Sequence, residues 1–308
     1  MATSSPPDAP APAGAAPAAT PAKAWTILEV IKWTTSRFAE RGLPTPRLDA
    51  ELLAAHAFGM ARIGLYAHFD RPLQPPELAA LRELVKRRQA GEPVAYLTGH
   101  KEFWSLDLLV DPRVLIPRPD TETAVQTALE LVRAMPEASP PRVADIGTGS
   151  GAIALALKKE LPNAAVFAVD VSADALTVAR SNAEKHGLAV EFLEGRLAAP
   201  LAAHAPFDLV VANLPYVPAG DIAGLAPEVR REPKLALDGG PDGLDLVRTL
   251  VTQVPAVLRP GGAIVLEIGI GQAAATAALC RAAGFVDVTI TRDLDGIERV
   301  VTGKTALV

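Results

Sequence analysis

A glycine-rich turn between two apolar segments constrains the fold of this chain more than any other feature. Residues 143–146 lead into Gly147-Thr148-Gly149-Ser150-Gly151, and residues 152–161 then have the composition of a helix. A second apolar segment, 164–169, ends at Asp170. A strand, a glycine turn, a helix, a strand and an acidic residue follow one another in this order in nucleotide-binding βαβ units. The pattern therefore predicts an α/β fold with a ligand site at the glycine turn.

The residues around this turn indicate the chemistry of the ligand. Glycines let the backbone approach a ligand closely, and the N-terminus of the next helix favours a negative group such as a carboxylate. Asp170 is placed to accept hydrogen bonds from ribose hydroxyls, and Asp145 suits an ammonium group. The Gly-x-Gly-x-Gly spacing departs from that of a dinucleotide site. S-adenosylmethionine has a ribose, a carboxylate and an ammonium, so it matches all three features. The alternative explanation is that the glycines only permit a tight turn between strand and helix.

A second motif follows another apolar segment, 209–212, and reads Asn213-Leu214-Pro215-Tyr216. The Asn213 side chain offers one carbonyl acceptor and the neighbouring backbone carbonyl offers another. Two adjacent acceptors suit a planar –NH2 group, which has two N–H bonds to place. Pro215 stiffens the turn, and Tyr216 supplies a flat face for a flat substrate group. Alone, the four residues could equally be an ordinary turn at the end of a strand.

Together, the 145–151 loop, Asp170 and the 213–216 motif resemble class I S-adenosylmethionine-dependent methyltransferases that act on amide or amino nitrogens. Three longer stretches resemble the peptide chain release factor glutamine methyltransferases in particular: 92–104, 114–122 and 228–243. The resemblance extends from about residue 25 to the C-terminus.

The resemblance implies a Rossmann-like, seven-stranded class I methyltransferase sheet with a C-terminal antiparallel hairpin, preceded by a small all-helical domain. It implies methyl transfer from S-adenosylmethionine to the side-chain nitrogen (N5) of the glutamine in the Gly-Gly-Gln motif of class 1 release factors, without a metal. The expected cofactor-binding residues are Gly147, Thr148, Gly149, Ser150, Gly151, Asp170, Leu197 and Asn213. The expected catalytic and substrate-binding residues are Asn213, Leu214, Pro215 and Tyr216. Arg118 and Glu122 are expected either in the wall between cofactor and peptide or in an interdomain salt link.

Two positions depart from the family pattern. Leu214 replaces the first proline of the usual Asn-Pro-Pro-Tyr, but the expected contribution of this position is its backbone carbonyl, which leucine retains. Arg196 follows Gly195 where such enzymes often carry an acid near the adenine. The adenine contact is therefore the least defined part of the predicted cofactor site.

Two other substrates are compatible with the same pocket. A sister class of enzymes methylates glutamine on a large-subunit ribosomal protein, and Asn-Leu-Pro-Tyr also resembles the motif of adenine-amino methyltransferases that act on RNA or DNA. Against nucleic acid stand the net charge of −5 and the roughly 145 residues that precede the glycine loop. A non-catalytic binding module is disfavoured because both halves of the pocket are intact.

The composition divides the chain into four parts. Residues 1–22 are almost entirely Ala, Pro, Ser, Thr and Gly and are expected to be disordered. Residues 23–92 have helical periodicity and are expected to recognise the protein substrate, residues 93–116 alternate like a linker hairpin, and residues 117–308 form the methyltransferase domain.

Within these parts, the pattern predicts a helix over 243–258 and a strand over 263–268. The basic run 86–88 is expected on a solvated helix face.

The remaining composition indicates where the protein works. The single cysteine, Cys280, is expected in the core, excludes an internal disulfide and indicates a reducing compartment. The sequence has neither an apolar run long enough to span a membrane nor a recognisable signal peptide. A cytoplasmic monomer is therefore expected.

Overall fold

The computed structural model describes residues 24–135 and 140–307, so the predicted N-terminal tail lies outside the described residues. The α-helices of the described chain are α1 Ile27–Ala39, α2 Pro46–Ala57, α3 Arg62–Ala67, α4 Pro75–Gln89, α5 Val94–Thr98, α6 Glu122–Arg133, α7 Ala152–Glu160, α8 Ala173–His186, α9 Asp245–Gln253 and α10 Ala273–Ala282. Its strands are β1 His100–Phe103, β2 Leu106–Leu109, β3 Arg142–Ile146, β4 Ala165–Asp170, β5 Glu191–Glu194, β6 Phe207–Asn213, β7 Leu258–Glu267, β8 Val286–Arg292 and β9 Glu298–Lys304. Over these residues, no helix is long and apolar enough to cross a membrane.

The N-terminal helices enclose a small core of their own. A capping box begins α1, in which Thr26 and Glu29 satisfy each other's backbone N–H groups. Apolar side chains from α1, α2, α3 and α4 form one buried cluster. Arg88 is also buried, and its Nε lies 2.8 Å from Asp49 Oδ2. The predicted solvated face over 86–88 is therefore wrong for Arg88, because helical spacing puts it on the same face as the buried Leu81, Leu84 and Val85.

The linker between the helices and the sheet is only partly a hairpin. The strands β1 and β2 pair antiparallel over His100–Leu109, which is narrower than the predicted 93–116 interval. Residues 94–98 instead form the short helix α5, in which Leu97 packs into the helical cluster. The apolar-polar alternation before residue 100 therefore reflects one turn of helix against the N-terminal core.

A seven-stranded sheet with order β5-β4-β3-β6-β7-β9-β8 forms the centre of the described C-terminal part. Strands β3 to β7 are parallel, and β9 runs antiparallel between β7 and β8. Alternate strand residues enter clusters on opposite faces, such as Ile146 and Val210 on one face and Val143 and Val211 on the other. Both faces are covered, as expected for a parallel sheet. The predicted fold class, including the C-terminal hairpin, is confirmed.

The predicted helix over 243–258 ends early. Helix α9 stops at Gln253, a 3-10 turn covers Val254–Ala256, and β7 begins at Leu258. Pro255 explains the end of the helix, because it has no N–H to donate and clashes with the preceding turn. The strand starts before the predicted residue 263 because Leu258 already pairs with Phe207, ahead of an irregular register that resumes at Ala263.

The strand order determines where a ligand can bind. Strands β4 and β5 lie on one side of β3 in the sheet, and the next strand in sequence, β6, lies on the other side of β3. A crevice opens beyond the carboxyl ends of the strands where the order reverses in this way. Both predicted motifs lie at this edge, since the glycine loop follows β3 and the 213–216 motif follows β6.

Candidate active site

The glycine loop is held against β4 by backbone hydrogen bonds. The N–H groups of Gly147 and Thr148 donate to Val169 O at 2.8 and 3.0 Å. Gly147 has a φ of +77°, and a Cβ built there would lie 3.3 Å from Leu214 Cδ2 and 3.5 Å from Asn213 O. Glycine is therefore required for conformation and for space. The two sequence motifs therefore lie side by side, with no room for a side chain between them.

Asp170 at the end of β4 completes the loop. One carboxyl oxygen accepts from Gly149 N–H at 2.9 Å, and the other accepts from Ser172 N–H at the same distance. Each oxygen keeps lone-pair capacity for a further donor. A Cβ built on Gly149 would meet no atom within 4 Å, so the space above this backbone is open. The arrangement fits a ligand that carries a diol beside Asp170 and a polar group over the loop.

The cavity at this edge is lined mainly by apolar groups. Its walls come from residues 113–115, 146, 147, 149, 169–172, 175, 195–197, 213–215, 233, 235, 236 and 246. The predicted cofactor residues that line it are Gly147, Gly149, Asp170, Leu197 and Asn213. Arg196 also lines it, at the position where the family usually has an acid. An apolar slot with one carboxylate matches a nucleoside with a sulfonium chain, so the residues present fit S-adenosylmethionine.

Three predicted cofactor residues lie behind the cavity wall instead. Thr148 is buried and its hydroxyl donates to Asp145, whereas the carbonyl of the buried Ser150 accepts from Asn182 Nδ2 at 2.9 Å. Gly151 precedes α7 and faces Ala179, whose Cβ would be 3.3 Å from a Cβ built on the glycine. These residues shape the loop from within the protein.

Asp145 also acts from beneath the loop. Its Oδ2 accepts from Thr148 Oγ1 at 2.7 Å and from Ala154 N–H at 3.1 Å, at the beginning of α7. Burial raises the pKa of this carboxyl to about 7. Asp145 has no surface open to solvent, so the direct contact with an ammonium group suggested by the sequence does not occur in this geometry.

The 213–216 motif leaves β6 and turns along the cavity. Asn213 Nδ2 donates to Thr121 Oγ1 at 3.2 Å, and Leu214 is buried under the glycine loop. Pro215 also lines the cavity. Tyr216 lies outside the cavity lining, and its carbonyl accepts from Gln272 Nε2 at 2.9 Å. Burial raises the pKa of the Tyr216 phenol to about 12, with a contribution from the Glu267 carboxyl, so the phenol keeps its proton at neutral pH.

Two residues beside Asn213 were not found from the sequence. Glu267 ends β7 directly opposite Asn213 in the parallel register, and it is 3% exposed. Thr121 lies in the short 3-10 turn before α6 and is also buried. The available signal for Glu267 was an acidic residue at the end of the apolar run 263–266, the same pattern that identified Asp170.

Arg118 and Glu122 connect the surrounding segments. Arg118 forms a salt bridge with Glu232, which is buried and also accepts from Ile116 N–H at 3.0 Å. Burial raises the pKa of Glu232, and Arg118 opposes that effect. Glu122 accepts from the backbone N–H of Trp104 in the β1–β2 turn at 3.1 Å. In this geometry both residues hold chain segments together near the cavity.

Comparisons with known proteins agree with this architecture. Residues 29–99 match the family model of the PrmC N-terminal domain, and residues 143–234 match a methyltransferase domain model. The hMettl16 catalytic domain, solved with an RNA hairpin, superposes with a TM-score of 0.53 at 17% identity over 65% of this chain and 76% of that chain. This likeness shows the fold. The sheet, the glycine loop and the 213–216 motif define a class I S-adenosylmethionine-dependent methyltransferase.

Curated relatives identify the family within this class. A release factor glutamine methyltransferase of Geobacter sulfurreducens is 48% identical over 91% of this chain and 97% of its own length. Proteins of the same name from Moorella thermoacetica and Deinococcus radiodurans are 46% and 42% identical, over 84% and 91% of this chain and 91% and 99% of their own lengths. The chain belongs to the release factor glutamine methyltransferase family.

Within its described residues, no group of three or more His, Cys, Asp or Glu side chains could hold a metal ion.

Proposed function

We propose that the protein transfers a methyl group from S-adenosylmethionine to N5 of the glutamine in the Gly-Gly-Gln motif of class 1 peptide chain release factors. The observation that carries this proposal is that the 213–215 turn and the glycine loop lie side by side and line the same cavity. An amide bound to the turn would lie next to a methyl donor bound at the loop. The names of relatives with more than 40% identity over most of the chain support the choice of substrate.

The cofactor would be held by residues whose geometry suits its parts. Asp170 would accept from the ribose hydroxyls, the backbone at Gly147 and Gly149 would hold the methionine part, and Leu197 would pack on the adenine with Arg196 beside it. When bound, the cofactor supplies an electrophilic methyl group on a positively charged sulfur. Thr148, Ser150 and Gly151 would contribute by keeping the loop in shape.

The glutamine amide would be held by the 213–216 motif. Its two N–H bonds would be accepted by Asn213 Oδ1 and by the backbone carbonyl of Leu214, with Pro215 keeping the turn rigid and Tyr216 packed on the amide plane. An amide nitrogen is a weak nucleophile, so alignment supplies most of the rate enhancement. Because the nitrogen gains positive charge during attack, both acceptors bind it more strongly in the transition state. The released proton would leave to solvent.

We further propose that residues 23–92 recognise the release factor, residues 93–116 link the two parts and residues 117–308 form the catalytic domain. Arg88, buried among the N-terminal helices, forms a salt bridge with Glu228, and Arg231 donates to Ala90 O at 3.0 Å. Residues 228 and 231 belong to the segment that follows the 213–216 motif. The contacts support a coupling between the helical part and the active site. We expect a metal-free, cytoplasmic monomer that does not act on nucleic acid.

One assay separates the candidate substrates. Labelled S-adenosylmethionine is incubated with the purified protein and a class 1 release factor, intact ribosomes, or total RNA and DNA, in parallel. We expect label only on the release factor, and none on a release factor whose Gly-Gly-Gln glutamine is changed to alanine. Label on a large-subunit ribosomal protein or on adenine, with none on the release factor, would overturn the proposal in favour of the corresponding alternative.

A further inference from the structure

The side-chain amide of Asn213 has two ends with opposite chemistry, and the substrate role proposed above uses only one of them. The Oδ1 end accepts hydrogen bonds, whereas the Nδ2 end can only donate. If the amide were rotated by half a turn, Nδ2 would face the N–H groups of the glutamine, and donor would meet donor. The active site therefore needs neighbouring groups that hold the Asn213 amide in one of its two orientations.

We propose that Thr121 and Glu267 are positioning residues that hold the Asn213 amide with Nδ2 turned into the protein and Oδ1 turned towards the substrate. This inference rests on the proposed function, because it concerns the acceptor that binds the glutamine amide. Thr121, Asn213 and Glu267 are called the amide network below. Neither Thr121 nor Glu267 lines the cofactor cavity.

The contacts of the amide network define its polarity. Asn213 Nδ2 donates to Thr121 Oγ1 at 3.2 Å, and Glu267 lies directly opposite Asn213 in the register of β6 and β7. The polar side chains of Thr121 and Asn213 both lower the pKa of the Glu267 carboxyl, so the three groups act on one another. An ionised carboxylate only accepts, so it favours the orientation of Thr121 in which the single hydroxyl proton points towards it. The Thr121 oxygen can then only accept from Asn213. This arrangement favours Nδ2 over Oδ1 on the inner side of Asn213, as in the observed hydrogen bond to Thr121.

The burial of Glu267 indicates that its carboxyl has a specific purpose. A buried carboxyl costs stability unless it is well partnered, and a leucine or valine would continue the apolar run of β7 at lower cost. One oxygen, Oε2, has no hydrogen-bond partner among the described residues. Burial raises the pKa of the Glu267 carboxyl to about 7, and the positive charge of Arg299 opposes this increase. Arg299 also forms salt bridges with Asp120 and Asp293, both at 3.1 Å. Above that pH the carboxylate form, which imposes the polarity, predominates.

The test compares substitutions that keep or remove the polarity. Thr121→Val removes the hydroxyl at nearly constant shape, and Glu267→Gln introduces a donor that lets the threonine proton point to Asn213. We expect either change to lower kcat for release factor methylation by roughly 10- to 100-fold, the range found when hydrogen-bond partners that orient metal ligands are removed. S-adenosylmethionine affinity should stay within about twofold by calorimetry, since the cofactor loop is untouched. Thr121→Ser should recover most of the loss seen in Thr121→Val.

Two further readouts distinguish positioning from general damage. Thr127 is a buried threonine on α6 whose hydroxyl donates to Thr123 O of the same helix at 2.8 Å. Thr127→Val therefore controls for the loss of a hydroxyl and should keep the parent kcat. In an Asn213→Ala background, Thr121→Val should cause no further loss, because the group that it orients is gone.

The pH profile provides an independent check. The parent kcat should rise as pH increases through about 7, as Glu267 ionises, and Glu267→Gln should flatten that rise. The other charged or titratable groups that act on this carboxyl are Arg299 on β9, Asp120 before α6 and Tyr216 after β6. None of the three is replaced in the variant, so a flattened profile is attributable to residue 267.

The outcomes separate this inference from the function on which it rests. If Asn213→Ala leaves the rate of methyl transfer unchanged, the proposed role of the 213–216 motif fails. If Asn213→Ala slows transfer while Thr121→Val and Glu267→Gln keep the parent kcat, the positioning inference alone is overturned. A further loss on adding Thr121→Val to Asn213→Ala would also overturn it. If Glu267→Gln does not fold, the Thr121→Ser and Thr121→Val pair still decides.

Discussion

The cofactor side and the substrate side of the cleft are built in different ways. On the cofactor side, the glycine loop and Asp170 come from one continuous stretch, 143–172, whose geometry is set largely by backbone N–H groups and glycines. The substrate side depends on a side-chain amide whose partner Thr121 is 92 positions away in the sequence. Substitutions on the first side should therefore change cofactor affinity, and substitutions on the second should change the rate.

The largest expected effect is on the substrate side. Asn213→Ala removes one of the two proposed acceptors for the reacting amide and should lower kcat by about 10²- to 10³-fold, the scale for one preorganised polar contact in a transition state. Cofactor affinity, measured by calorimetric titration, should change much less. An equal loss in affinity and rate would show that the two sides are not separable in this way.

The next effect tests the cofactor side. Asp170→Ala removes the proposed acceptor for the ribose hydroxyls and should weaken S-adenosylmethionine binding by about 1.5–3 kcal/mol, or roughly 10- to 150-fold. Much of the rate should return at saturating cofactor, because the amide site is intact. Unchanged affinity would mean that the ribose does not bind at Asp170.

A smaller effect concerns pH and the carboxyl beneath the cofactor loop. Asp145 has a pKa raised to about 7 by burial, well above that of the unfolded chain, so the folded state binds the proton more tightly. This contribution to stability is fully present at low pH and is lost as pH rises through about 7.

Asp145→Asn keeps an acceptor for Thr148 and Ala154 but cannot ionise. The melting temperature of this variant should rise relative to the parent between pH 4 and pH 7 in a thermal denaturation series. A constant difference across that range would contradict the assignment of a buried, proton-binding carboxyl.

The smallest expected effect is at the departure from the family pattern. Leu214→Pro restores the usual residue and keeps the backbone carbonyl, so kcat per folded molecule on the Gly-Gly-Gln substrate should stay within about tenfold. Stability should fall somewhat, because Leu214 is buried against the glycine loop. If the variant is inactive while the parent methylates RNA or DNA, the nucleic-acid alternative is favoured.

The sequence by itself determined the features that depend on neighbours along the chain. The run from Val143 to Asp170 folds as predicted, because strand, turn and helix signals there are local. The 213–216 motif was recognisable because it follows a strand directly. The order of these motifs indicated the methyltransferase fold, and the longer stretches 92–104, 114–122 and 228–243 indicated the family.

Only the tertiary structure decided which side each of these residues faces. Thr148 and Ser150 turn away from the cavity, Asp145 is sealed under its own loop and Arg88 is buried against Asp49. Glu267 reaches Asn213 because β7 lies beside β6 in the sheet. Strand adjacency depends on the packing of the whole domain, and no local pattern encodes it, since residues far apart in sequence become neighbours only once the parallel strands are in order.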